Sequence, residues 1–170
     1  MGDQPVTAAA ADAGPIIHLS EIGCFSLLRI FHALHIPDAV VEELSGHNIS
    51  LSETSLGSVS VVRHTLPRDA VARFVRENGF ERLHAGETEC LFLCKRQALP
   101  VILTDDLSVR ETAKGLGMKP VGSLGVIVRA YKKGFISLQD AERHLTALHE
   151  TSSLFVTKAI VEIAIERLKK

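Results

Sequence analysis

The chain has few of the features that would settle its class at a glance. Its three cysteines are an odd number without framework spacing, which argues against a disulfide scaffold and for a reducing, cytoplasmic setting. No uninterrupted apolar run approaches the ~20 residues that a membrane-spanning helix needs. The opening "MGDQPVTAAAADAGP" lacks a basic segment followed by a long apolar one, so no secretory leader is expected. A net charge of −1 leaves no basic excess for gripping nucleic acid along an extended track. Any such contact must be local. Internal repeats, low-complexity tracts and long charge blocks are also missing, and no Ser/His/Asp or Cys/His set suggests a covalent nucleophile. What remains is ordinary globular composition: 170 residues, 46% hydrophobic and 23% charged, enough for one domain with a buried core.

The pattern alternates strands and helices. "PVTAAAA" reads as a short first strand ending at Asp12, although Ala is a weak strand former. In "LSEIGCFSLLRIFHALH", Ile22, Phe25, Leu28 and Phe31 recur at helical spacing, which predicts a helix with Ser20 as its N-cap. "IPDAVVEEL" predicts a second helix with Pro37 in its first turn. The stretch from Ser45 to Gly57 is polar and reads as loop, and Ser58 to Val62 as a short strand. "PRDAVARFVRENG" and "GETECLFLCKRQ" are well-marked helices, the second with acids first and Lys95–Arg96 last, matching the helix dipole. "VILT" is the clearest strand, apolar without alternation, as suits burial on both faces. "LSVRETAKGLG", a short strand "KPVG", "SLGVIVRAYKKG" and two C-terminal helices complete the pattern. An α/β domain with a mostly parallel sheet follows.

In such sheets ligands bind beyond the carboxyl ends of the strands. Asp12 ends the first strand, and Asp105 and Asp106 end the strongest one, so all three belong to one edge. Glu43 and the pair Glu87 and Glu89 sit near helix ends that can face that edge. Two unit charges ~4 Å apart cost ~4 kcal/mol at an effective dielectric near 20. Converging carboxylates therefore need a cation or protons, and oxygen-only sites favour Mg²⁺ or Mn²⁺ over zinc. His32 and His35 share a helical face in this reading but lack a second ligand pair at zinc spacing. Cys90 and Cys94, one turn apart, read as small core residues.

The motifs "ADAGPIIHLSEIG", "IPDAVVEEL", "GETEC" and "LTDDLSVRETAKGLGMKPVGSLGVIVRAYKKGFIS" occur in the order found in PIN-domain proteins. The chain resembles their prokaryotic branch, which has a "GExE" third motif and a "G[ST]LG" turn after the last strand. The likeness spans about residues 6–137, with family-like helices over 137–170, so residues 1–170 are expected to form a single PIN-like domain. The resemblance implies a three-layer α/β/α fold of flap-endonuclease type with a central, mostly parallel sheet. It also implies a metal-dependent ribonuclease, in many prokaryotic relatives the toxin of a VapC-like toxin–antitoxin pair. Expected partners are RNA, a cognate antitoxin and a second copy in a homodimer, with no membrane.

By the same resemblance, the family's first acid falls on Asp12, its second on Glu43, its third on Glu87 with Glu89 as the alternative, and its fourth on Asp106 with Asp105 beside it. These would hold Mg²⁺ or Mn²⁺ and cleave phosphodiesters to 5′-phosphate and 3′-hydroxyl ends. Many relatives carry Ser or Thr directly after the first Asp, where this chain has Ala13 and Gly14. An inactive PIN-like module that binds RNA or protein is therefore the second reading. A phosphatase would want an Asp–x–Asp nucleophile, which "DAG" does not supply. Arg110, Lys114 and Arg129 are candidate backbone contacts. Ser123, in "GSLG" before a helix, is either a phosphate cradle or that helix's cap.

Overall fold

The computed structural model describes residues 8–51 and 57–170. Pro5–Thr7 of the expected first strand and residues 52–56 of the expected loop lie outside the described residues. Five strands form one wholly parallel sheet: β1 (Ala8–Ala11), β2 (Ala33–Pro37), β3 (Ser60–His64), β4 (Val101–Leu103) and β5 (Lys119–Val121). Their spatial order is β3-β2-β1-β4-β5. Helices α1 (Ala13–Glu21), α2 (Asp38–Gly46), α3 (Arg68–Asn78), α4 (Ala85–Gln97), α5 (Leu107–Gly115), α6 (Ser123–Lys132), α7 (Leu138–Glu150) and α8 (Lys158–Leu168) flank it. The order runs outward from β1 in both directions, so the topological switch point lies between β1 and β4. That is where a parallel sheet opens a crevice for a ligand.

The central strand is four alanines, and three of them, Ala9, Ala10 and Ala11, are wholly buried. Propensity does not explain a strand here; its neighbours do. β1 pairs with β2 through Ala8↔Ala33 and with β4 through Ala11↔Leu103, while α4 lies against it with Cys90 and Cys94 buried. A methyl is the side chain that this close approach accommodates. The core continues without a break from this strand to Val161 and Leu168 of α8.

One stretch departs from the sequence reading. The first helix starts directly after Asp12 rather than at Ser20, which stands in its last turn. Gly23, at φ +70°, then turns the chain into a short 3₁₀ segment, Phe25–Ile30, and Ala33–Pro37 is strand β2. The apolar spacing of Ile22, Phe25, Leu28 and Phe31 is real, but a left-handed glycine cannot continue a helix of L-residues at ordinary dihedrals. "ALHIP" carries the period-two signal instead, with Leu34 and Ile36 buried and Ala33 and His35 half-buried. His35 accordingly stands on a strand and stacks on His64 of β3, Nδ1 to Nε2 2.8 Å. The remaining helices and strands fall where the pattern places them, within a few residues.

Candidate functional site

The crevice at the switch point is a cavity of about 510 Å³ lined by five carboxylates: Asp12, Glu43, Glu87, Asp105 and Asp106. They arrive from four places in the sequence. Asp12 follows β1, and its backbone N–H extends the β1–β4 ladder one step by donating to Leu103 O at 3.0 Å. Its side chain then caps α1, Oδ1 accepting from Ala13 N at 2.9 Å. Thr104, fully buried, continues β4, and Asp105 and Asp106 turn out of the sheet behind it. Glu43 projects from α2, and Glu87 from the first turn of α4.

The two adjacent aspartates are used differently. Asp105 is saturated: Oδ1 accepts from Ser123 N at 2.7 Å, and Oδ2 accepts from the Ser123 hydroxyl at 2.6 Å and lies 2.7 Å from His18 Nδ1. It ties the end of β4 to the N-terminus of α6 and to α1. Asp106 caps α5, Oδ1 accepting from Val109 N at 2.9 Å, and among the described residues its other oxygen has no donor. The Ser123 amide and hydroxyl are thus already engaged by Asp105. The anion that the α6 N-terminus holds is the protein's own Asp105.

Glu87 and Glu89 also separate. Glu87 Oε2 accepts from His84 N at 2.8 Å in a capping box and lines the cavity. Glu89 Oε2 accepts from Ala39 N at 3.2 Å, at the start of α2, and is not among the cavity-lining residues. Two positions on a helix differ by ~200° around its axis, which is why both cannot face one site. Gly86 marks where the acids crowd. A side-chain carbon there would stand 3.5 Å from Asp12 Oδ1, 3.7 Å from Glu43 Oε2 and 3.2 Å from Val40 Cγ2. The glycine of the "GExE" motif thus leaves the space between two carboxylates open.

Electrostatics confirms the crowding. Asp12 is 8% exposed, and its pKa is raised from the ordinary 3.8 to about 7. Burial is the main cause, with Glu87, Glu43 and Asp106 adding to it and the Ala13 amide opposing it. No lysine or arginine is among the residues lining the cavity. Arg110 reaches toward the carbonyl of Thr104 at 3.4 Å, Lys114 pairs with Glu111 at 2.8 Å, and Arg129 lies half-buried on α6. None of the four residues first considered for the nucleic-acid backbone lines this cavity.

The donor set is all hard oxygen with histidine at the edge. Among the described residues, no three His, Cys, Asp or Glu side chains converge closely enough to enclose an ion by themselves. Oxygen donors of this kind suit a hard divalent ion such as Mg²⁺, which keeps several waters and takes one or two carboxylates. Asp12, Asp106 and Glu43 would hold it, directly or through water.

The sequence pass missed His18, His84 and the segment Ser153–Phe155, all of which line the cavity. His18 becomes legible once α1 is begun at Ala13. His84 is the cap of a capping box whose Glu87 half was visible, although histidine is an unusual cap. The segment between α7 and α8 carries no motif.

A family model described as "DUF3368: PIN domain" matches residues 8–170. A search of the curated proteins finds no match.

Proposed function

The chain belongs to the PIN-domain family, whose members are generally nucleases and usually use divalent metal ions, and on that premise we propose that it is a Mg²⁺- or Mn²⁺-dependent ribonuclease. The observation that supports this is the meeting of Asp12, Glu43, Glu87 and Asp106 on the wall of one cavity, with no lysine or arginine among the described residues that line it. A phosphate cannot enter such a cavity unless a cation enters too. A bound divalent ion would supply a water of lowered pKa and neutralise charge growing on the phosphate. Asp12 and Asp106 would offer an oxygen each to such an ion from adjacent strand ends, one oxygen of each being fixed by a backbone amide. Glu43, exposed on the cavity wall, would reach the ion directly or through water, and Glu87, one oxygen held by the His84 amide, would orient a water. Asp105 holds the loop that carries Asp106.

The toxin role, the antitoxin partner and a homodimer belong to the same proposal. Ile160 and Ile163, half exposed on α8, suit an interface, and a small antitoxin gene beside this one would support the pairing. No helix among the described residues is long and apolar enough to cross a membrane; the three free cysteines suit a reducing cytoplasm. The second reading, an inactive module binding RNA or protein, draws on Ala13, whose methyl offers no hydroxyl to a carboxylate or metal water.

Cleavage of a generic single-stranded RNA separates the two. Activity is expected with Mg²⁺ or Mn²⁺, none with chelator, and a loss of at least ~100-fold in Asp106→Asn, since even outer-shell partners of a metal are worth 10–100-fold. Chelator-resistant activity, or an Asp106→Asn variant as active as wild type, would refute the assignment. Gly86→Ala gives a geometric check on the same assay. The added methyl lands between Asp12 and Glu43, so activity should fall ~10–100-fold. Stability should change by less than about 1 kcal/mol, because helix propensity offsets the tight Val40 contact.

A further inference from the structure

Phe155 is 96% exposed, and it lines the same cavity as the carboxylates. An aromatic ring this open gains nothing for the fold, and the chain on both sides of it is fastened. Glu21 Oε2 on α1 accepts from the Ser153 amide at 2.7 Å and from the Ser153 hydroxyl at 3.0 Å. On the other side His149 Nδ1 donates to the Val156 carbonyl at 2.7 Å, and the Thr157 hydroxyl caps α8 by accepting from Ile160 N at 3.3 Å. Leu154, between the anchors, is half-buried against the core. The ring is thus held out at the rim by a segment fixed before and after it. Leu107, 72% exposed at the start of α5, gives the same cavity a second apolar edge.

A ligand matching this wall needs a group for the metal-binding floor and a flat apolar face beside it. A nucleotide with an unpaired base has both. With no lysine or arginine among the described residues lining the wall, a phosphate away from the ion has no basic partner there, and stacking is the further contribution the wall offers. Base–aromatic stacking is indifferent to sequence and unavailable to bases already stacked in a duplex. We infer that Phe155 is a stacking platform for an unpaired base of the strand whose phosphate enters the carboxylate cavity. This rests on the nuclease reading and adds a substrate-positioning residue to it.

The chain has no tryptophan and one tyrosine, so Phe155→Trp introduces a single tryptophan at the ring, selectively excited at long wavelength. With Ca²⁺ in place of the catalytic ion, its emission should be quenched by a single-stranded oligoribonucleotide and left unchanged by the same sequence as a duplex. Phe155→Ala should weaken binding of the single strand about tenfold. In Mg²⁺ its KM for cleavage should rise by a similar factor with kcat little changed, and Phe155→Trp should retain wild-type KM. Equal affinity of wild type and Phe155→Ala for the single strand overturns the inference and leaves the ring to a protein partner or a second copy. Quenching without cleavage overturns the nuclease reading alone. Cleavage indifferent to Phe155 overturns the stacking role alone.

Discussion

Replacing Asp12 with Asn is expected to stabilise the metal-free protein while abolishing cleavage. The buried carboxyl has a pKa near 7 when folded against 3.8 ordinarily. Between those values the folded state binds more protons than the unfolded state, so stability falls as pH rises through the window and is flat above it. At pH 8 the metal-free fold therefore carries an ionised, desolvated group among like charges, at a cost of roughly 2–4 kcal/mol. Asparagine keeps the shape, and its carbonyl oxygen can still accept from the Ala13 amide. Chemical denaturation in chelator at pH 8 should show Asp12→Asn to be more stable than wild type by about that amount. The gap should close as pH falls toward 4. On the nuclease reading, cleavage in Mg²⁺ should drop at least ~100-fold, since a carboxylate proposed to hold the ion has been removed. A variant less stable than wild type at pH 8 would mean that Asp12 is an ordinary helix cap.

Asp105→Ala is expected to do the reverse, damaging the fold first. Its carboxylate satisfies the amide and the hydroxyl of Ser123, which is fully buried, and pairs with His18. Removing it leaves two buried donors without an acceptor and unties α6 and α1 from the end of β4. Each orphaned donor costs about 1–3 kcal/mol, and breaking a buried charged network typically costs 3–5 kcal/mol in all. Urea denaturation should register a loss in that range, with a lowered Tm. Asp106→Asn, one residue along, should change stability by less than about 1 kcal/mol, because its amide oxygen can still cap α5. A small effect at Asp105 and a large one at Asp106 would reverse the division of labour between the pair.

The acids and their strand-end placement were legible because the chemistry forces them: two aspartates after "VIL" serve neither a strand nor a helix interior. The order of motifs supplied Glu43 and Glu87. The boundary at Ser20 was misjudged because apolar spacing in "IGCFSLLRIF" fits a helix, whereas Gly23 and the alternation in "ALHIP" are short signals that only pairing with β1 makes decisive. The role of Ser123 was hidden for a related reason. A helix N-terminus attracts an anion, but nothing in the sequence says that the anion is Asp105, 18 residues earlier. Phe155 was invisible because exposure, the property that singles it out, is set by the packing of α7 and α8 and not by any local pattern.

The central claim is that distant carboxylates meet at the β1–β4 switch point to hold a divalent ion. Titrating Mn²⁺ into the protein at pH 8 and following the free ion by electron paramagnetic resonance tests it most directly. Wild type should take up the ion, and Asp12→Asn and Asp106→Asn should each bind at least ~10-fold more weakly while remaining folded. Uptake by both variants equal to that of wild type, or no uptake by wild type at all, would contradict the claim.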